Sequence, residues 1–216
     1  MPIESNILLG KVLDNKDEEG LGRVQVELRG FAEAWTTPWL RVLQPSAGAE
    51  FGHYFLPDVD SEVVILRGFG DHPDGLIVLG CLYGLDNAPS ATAIDADGNN
   101  AIKQLRTKAG HEITLSEVSG EEKISITTSD TKLSVVMDMA NGEVIITGDK
   151  AVKIVSTEAV NVTGKTVVIT GSTSVTIEKS ETVKIDGAKT VDINGSSKIS
   201  LTGGEVAISG SAIKLG

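Results

Sequence analysis

At 216 residues, with 30 acidic against 19 basic side chains, the chain has room for one or two domains and a net charge of −11. Acidic side chains outnumber basic ones fourteen to six before residue 90 and sixteen to thirteen after it. This excludes the clustered cations that binding to a nucleic-acid backbone requires, so no nucleic acid is expected as a partner.

Met1–Gly10 lacks the basic start of a secretory signal, and no stretch reaches eighteen consecutive apolar residues, so a protein soluble when made is expected. Alternating or apolar runs follow at Ile7–Leu13, Arg23–Leu28, Trp39–Leu43, His53–Leu56, Glu62–Arg67 and Leu76–Tyr83. Turn-rich segments, such as Asp14–Gly20 and Gly70–Gly75, separate them. Five or six short strands in about eighty residues, without helical periodicity, predict a small β-barrel of the OB type over residues 1–89. The single cysteine, Cys81, falls in the last of these runs and reads as a small buried hydrophobe. It cannot make an intrachain disulfide.

All eight aromatic residues and all six prolines lie before residue 90. The small, turn-rich stretch at 90–100 reads as a linker. Residues 101–216 are rich in Val, Ile, Thr, Ser, Gly, Lys and Asp and contain no Phe, Trp or Tyr, which suits repetitive strands rather than an ordinary core.

From Val144 onward an aliphatic-x-aliphatic triplet recurs at steps of seven or eight residues, each followed by a polar turn. Strand side chains alternate faces, so the first and third members of each triplet share one side. The predicted dry side comprises Val144, Ile146, Val152, Ile154, Val160, Val162, Val167, Ile169, Val175, Ile177, Val183, Ile185, Val191, Ile193, Ile199, Leu201, Val206 and Ile208, ending in Ile213 and Leu215. Eight residues supply one strand and one turn, too few for a coil that closes on itself, and neither the period of six of hexapeptide solenoids nor that of about forty of propellers is present. Three intertwined chains would share the burial as a three-sided β-helix. The expected fold is therefore all-β: an N-terminal OB-type barrel followed by an intertwined trimeric β-helix at 101–216, an obligate homotrimer.

The successions Gly22-Arg23-Val24-Gln25-Val26, Trp39-Leu40-Arg41-Val42, Phe55-Leu56-Pro57 with Glu62-Val63-Val64-Ile65, Gly70-Asp71-His72-Pro73 and Val78–Gly84 resemble the OB domain of phage baseplate assembly protein V and of the VgrG spikes of type VI secretion systems. Thr107-Lys108-Ala109-Gly110-His111-Glu112-Ile113-Thr114-Leu115 is similar to the segment by which that family enters its β-helix. The resemblance implies the central membrane-piercing spike of a contractile phage tail baseplate, located in the virion. A separate hub protein would hold the barrel, and contact with the host outer membrane would be transient. A VgrG-like spike of a type VI or related injection system is the alternative within that class, and a trimeric carbohydrate-binding fibre or adhesin the alternative outside it. The family's His-x-His metal apex has no counterpart, because no histidine follows His111. A small PAAR-like tip protein on Ile213 and Leu215 is expected instead.

Other motifs carry less. Asp95-Ala96-Asp97-Gly98-Asn99 lacks the sixth-position Gly and twelfth-position Glu of a calcium loop, and His53, His72 and His111 share no ligand spacing, so neither metal nor cofactor is expected. Nothing in the sequence places Asp58 with Asp60, or Asp71 with Asp74, in a pocket beside a base or nucleophile, and Gly68-Phe69-Gly70 lacks the third glycine and the following helix of a nucleotide fingerprint. No enzyme is expected.

Overall fold

The computed structural model describes residues 6–31, 33–68, 75–89, 94, 97–178, 181–186 and 189–214. It divides into two compact units, residues 1–153 and 154–216. The described residues contain strands and turns and no α-helix.

Within the first unit, β1 (Ile7–Asp14), β2 (Arg23–Leu28), β4 (Leu40–Val42), β7 (Glu62–Arg67) and β8 (Leu76–Cys81) close a barrel. The ring runs β1–β2–β4–β8–β7 and back to β1, antiparallel throughout except for the parallel β4–β8 pair. β3 (Trp35–Thr36) extends β2 at one edge. Each barrel strand alternates, so that Val24, Val26 and Leu28 of β2 and Val63 and Ile65 of β7 meet Val12, Leu40, Leu76 and Val78 in a dry core.

Two irregularities bend the ring. The β1–β2 register shifts between Val12 and Asp14, and the β7–β8 register shifts between Val64 and Ile65. Where β1 crosses β2, a Cβ built on Gly10 would lie 2.3 Å from Cγ1 of Val26 and 2.8 Å from the Glu27 carbonyl, so only glycine fits. The buried Thr37 hydroxyl accepts a hydrogen bond from the Val26 amide at 3.1 Å, and the Thr37 amide donates to the Val26 carbonyl at 2.9 Å.

Two expectations fail in detail. His53–Leu56 forms no strand; the segment before it makes a two-residue hairpin, β5 (Ala47–Gly48) with β6 (Phe51–Gly52), turning through Glu50 at φ 65°. The following extended chain is held by single bonds, from the His53 amide to the Ser46 carbonyl and from the Gln44 side chain to the Phe55 carbonyl. Cys81 is exposed, not buried, because it lies beyond the register shift at the end of β8, past the inward-facing Leu76 and Val78.

The chain then forms a five-stranded antiparallel meander: β9 (Ile102–Arg106), β10 (Glu112–Ser116), β11 (Lys123–Thr127), β12 (Ser134–Asp138) and β13 (Glu143–Thr147). Tight turns join its strands, with Gly110, Gly120 and Gly142 at positive φ.

In the second unit, the described residues pair in no strand ladder. The chain bends at 157–158, 165, 172–173, 181, 189, 196–197, 203–204 and 211, once between each pair of consecutive triplets. In this unit bends fall where the turns of the eight-residue phrase are expected, but no described triplet forms the short strand expected of it. The ladder is missing because a triplet has no neighbour of its own chain at strand spacing.

Candidate functional site

The register of the meander places side chains in straight rows. Ile113 stands opposite Leu105 on one side and Ile126 on the other, and the row continues through Val135 to Ile146. Two residues along, Leu115, Ile124, Met137 and Val144 form a second row on the same face, with Lys103 at its β9 end. All nine aliphatic side chains are exposed, from 37% for Ile124 and Val135 to 68% for Val144. Cross-strand neighbours on one face normally pack each other and a covering layer. Here no such layer shields the two rows, and the side chains stay exposed.

The opposite face is the polar one, and it is the better shielded. Gln104 donates to the Glu112 carboxylate at 3.0 Å and to the Thr114 hydroxyl at 3.1 Å, and Arg106 pairs with Glu112 at 3.1 Å. Ser125, Thr127, Ser134 and Asp138 continue it half-buried. Val136 and Ile145 are its aliphatic members on the last two strands. A free-standing sheet in water would turn the apolar face inward and the polar face out. The inversion marks the apolar face as a surface that another layer must cover.

The ends of the rows are fixed by hydrogen bonds. At one end the Thr107 hydroxyl accepts from the His111 amide at 3.1 Å, and Nδ1 of His111 accepts from the Ser129 amide at 3.2 Å, locking two turns together. The adjacent Asp130 carboxyl is held below the ordinary carboxylate range by the Thr128 hydroxyl and the Lys132 amide. Lys103 draws its ammonium off the apolar face to the Asn100 carbonyl at 2.6 Å and to the Glu117 carboxylate. A groove of about 530 Å³ follows the first row, lined by Leu105, Ile113, Ile126, Val135 and Ile146 and reaching Val152.

Of the residues singled out from the triplets, Val144 and Ile146 lie in these rows and Val152 lines the same groove. In the second unit, first members of triplets such as Val160, Val167 and Val191 are 51–53% exposed, and third members such as Ile154, Ile169 and Ile177 are 71–76% exposed. Val162, Val175, Val183, Ile185, Ile193, Ile199, Leu201, Val206, Ile208 and Ile213 are exposed in the same way. Leu215 lies outside the described residues, as do Phe69, Gly70, Asp71, His72, Asp74, Asp95 and Ala96.

Sequence reasoning missed Leu105, Ile113, Leu115, Ile124, Ile126, Val135 and Met137. The signal was present in Ile113-Thr114-Leu115, Ile124-Ser125-Ile126 and Val135-Val136-Met137, the same aliphatic-x-aliphatic phrase at steps of eleven instead of eight. The longer step makes room for a hairpin turn, which lets neighbouring strands of one chain pair.

The barrel adds two surfaces. A polar cleft of about 700 Å³ holds Asp58, Asp60, Glu62 and Asp86 with Lys11, Arg29 and Lys108. Lys11 pairs with Asp60 at 2.6 Å and Arg29 with Glu62 at 2.8 Å. Asp60 is thereby held below its ordinary pKa, chiefly by the Lys11 hydrogen bond. Those ion pairs engage Asp60 and Glu62, two of the four carboxylates in the cleft. Around β5 and β6, the exposed Leu21, Phe51 and Tyr54 border an open groove of about 530 Å³ with Gln44 and His53. Among the described residues, no group of His, Cys, Asp and Glu is placed to hold a metal.

Residues 8–83 match the family described as the type VI secretion system/phage-baseplate injector OB domain. The chain is 30% identical over 123 residues to the type VI secretion system spike proteins VgrG2a and VgrG2b of Pseudomonas aeruginosa. That alignment covers 54% of this chain but 13% and 11% of those proteins. The matched span opens in β1 and closes two residues after β8, so the part of the chain that is similar to the injector OB domain of type VI secretion systems and phage baseplates coincides with the closed ring.

Proposed function

We propose that this protein is the central spike of a contractile injection machine and works as a homotrimer, in which the apolar sheet face and the triplets after it become a shared dry axis. The observation that carries this reading is the inverted burial of the meander: nine aliphatic side chains in two rows, all exposed, with the polar face shielded behind them. The similarity of residues 8–83 to the injector OB domain supports the setting. Full burial of a Val, Ile or Leu side chain is worth roughly 1.5–3 kcal/mol, so three chains that cover one another's rows and triplets gain far more than any one can reach alone.

Mechanism follows from stiffness rather than chemistry. Backbone ladders between chains satisfy strand donors and acceptors, and a close-packed aliphatic axis resists bending. The barrel serves as the collar that a baseplate hub protein grips, and force delivered by a contracting sheath drives the shaft through the host outer membrane. The polar exterior of Thr, Ser, Lys, Asp and Glu gives no anchoring surface, and no helix among the described residues is long and apolar enough to cross a bilayer. Contact with the membrane is therefore passive and transient. No catalytic step is part of this reading. A PAAR-like tip protein on Ile213 and Leu215 belongs to the same reading, because exposed aliphatic side chains are a surface that proteins normally cover.

We favour the spike of a contractile phage tail, a virion component. Similarity to two VgrG proteins favours the secretion-system spike as the second reading. The exposed Phe51, Tyr54 and Phe55 supply the aromatic platform that a carbohydrate-binding fibre would need. Mass measurement in solution with electron microscopy tests the proposal: a trimeric particle with a knob and a rod is expected, and a stable monomer overturns it. Glycan binding by the full chain, abolished by Phe51→Ala with Tyr54→Ala, would move the reading to the fibre.

A further inference from the structure

The meander and the triplets differ in what a single chain can complete. The meander has all its ladders within one chain and presents a finished apolar face. The described residues after Val152 pair with no strand of their own chain. Their triplets are also interchangeable, since Val-x-Ile or Val-x-Val recurs at steps of seven or eight six times between Val152 and Ile193. Sliding one chain past another by a repeat restores nearly the same apolar match, and strands so alike specify register weakly.

The sheet face is not interchangeable. It combines Leu, Ile, Met and Val of different shapes in two unequal rows and has its one cation, Lys103, tied to Asn100 and Glu117 at a corner. A neighbour displaced by one strand would set aliphatic side chains against that ammonium and leave a row uncovered. The nine side chains expose on the order of 800 Å² per copy; divided between the two neighbours of a trimer, this is about half of what each partner gives to a standard interface.

We propose that this face is the contact by which three copies first recognise one another, and that it sets the register in which the later triplets wind together. The proposal rests on the trimeric reading above. The face closes on two further copies of the same face, and residues 152–214 pair between chains only afterwards.

The test uses the full chain in four forms, compared by mass in solution and by amide hydrogen exchange. Wild type is expected as a trimer protected throughout 102–214. Ser125→Asp, on the polar side of β11, should leave that unchanged. Ile126→Asp, one residue on and in the apolar row, should abolish the trimer and leave amides 152–214 exchanging like unfolded chain, with β1 and β7 of the barrel still protected. Ile193→Asp should keep the trimer and the protection of 102–147 and lose protection only near residues 189–214. The milder Ile126→Thr, which retains a β-branched side chain, should raise the concentration for half-dissociation at least tenfold. Pulse-labelled refolding of wild type should protect 102–147 before 152–214. A trimer of Ile126→Asp with a protected C-terminal part, a monomeric Ile193→Asp, or the reverse order in refolding overturns the proposal. A monomeric wild type instead overturns the trimeric reading beneath it.

Discussion

Ile113 stands directly across from Ile126 in the β10–β11 ladder, and the two side chains remain 41% and 53% exposed. A cross-strand aliphatic pair in the middle of a five-stranded sheet is where the covering layer should be thickest. Its exposure connects the register of the meander to the assembly of the protein.

Truncation at this pair separates a covered face from an open one. Ile126→Ala removes three carbons from a side chain that is free in one chain and enclosed in a trimer. Enclosed, the substitution costs about 2–5 kcal/mol per chain. Thermal unfolding should therefore show a large drop in midpoint together with a steeper dependence on protein concentration. An unchanged midpoint would mean that the face stays wet.

Gly10→Ala probes the barrel alone. The added methyl meets Val26 and the Glu27 carbonyl at distances that real Cβ atoms do not tolerate, and neither the backbone of β2 nor the core behind it can yield cheaply. A loss of about 1–3 kcal/mol is expected from overpacking, read as an earlier urea midpoint by tryptophan fluorescence. Trp35, opposite Leu28 in the β2–β3 pair, sits one strand from Gly10 and reports on it.

The barrel was readable because each strand carries its own evidence. Val24-Gln25-Val26-Glu27-Leu28 alternates once per residue, and the closed ring buries the residues that the alternation selects. The hairpin at Ala47–Gly52 was not readable, since its two-residue strands are too short for any period and depend on a turn at Glu50. The triplets announced a dry side and a turn from spacing alone, and bends do fall between them. The sheet face was overlooked because its steps of eleven broke the period being followed. The repeat by itself points to a dry side that one chain cannot close; that the meander before it also leaves apolar rows such as Ile113 and Ile126 exposed is visible only in the fold.

Thr131 occupies the left-handed region at φ 60°, where a β-branched side chain crowds the following carbonyl. The turn is held there by its neighbours: the Thr131 amide donates to the Thr128 carbonyl at 2.9 Å, and the Lys132 amide donates to the Asp130 carboxylate at 3.2 Å. Asn accepts this conformation more readily than Thr. Thr131→Asn should stabilise the protein by about 1 kcal/mol, seen as a later urea midpoint. A loss of stability would show that the Thr131 hydroxyl bond to the Asp130 carbonyl, at 2.7 Å, outweighs the strain.

The last prediction concerns acid. Asp17 closes the β1–β2 loop by accepting from Nε and Nη2 of Arg23 at 2.9 and 2.7 Å and from the amides of Glu19 and Leu21 at 3.2 and 3.1 Å. Its side chain is 4% exposed. The Arg23 guanidinium, foremost, and then the Glu19 amide hold the Asp17 carboxyl far below its ordinary value, while the same pairing raises Arg23. A carboxylate with a folded pKa below its unfolded one adds stability that is present above the unfolded value, near 3.9, and fades as pH falls toward the folded value. The urea midpoint should therefore fall on acidification below about pH 4 with a contribution from this one group. Asp17→Asn keeps the shape but loses the charge, so the variant should be less stable than wild type at pH 6 and approach it at pH 3. Parallel midpoints across that range would show that the loop is held by its backbone turns and not by the Asp17–Arg23 pair.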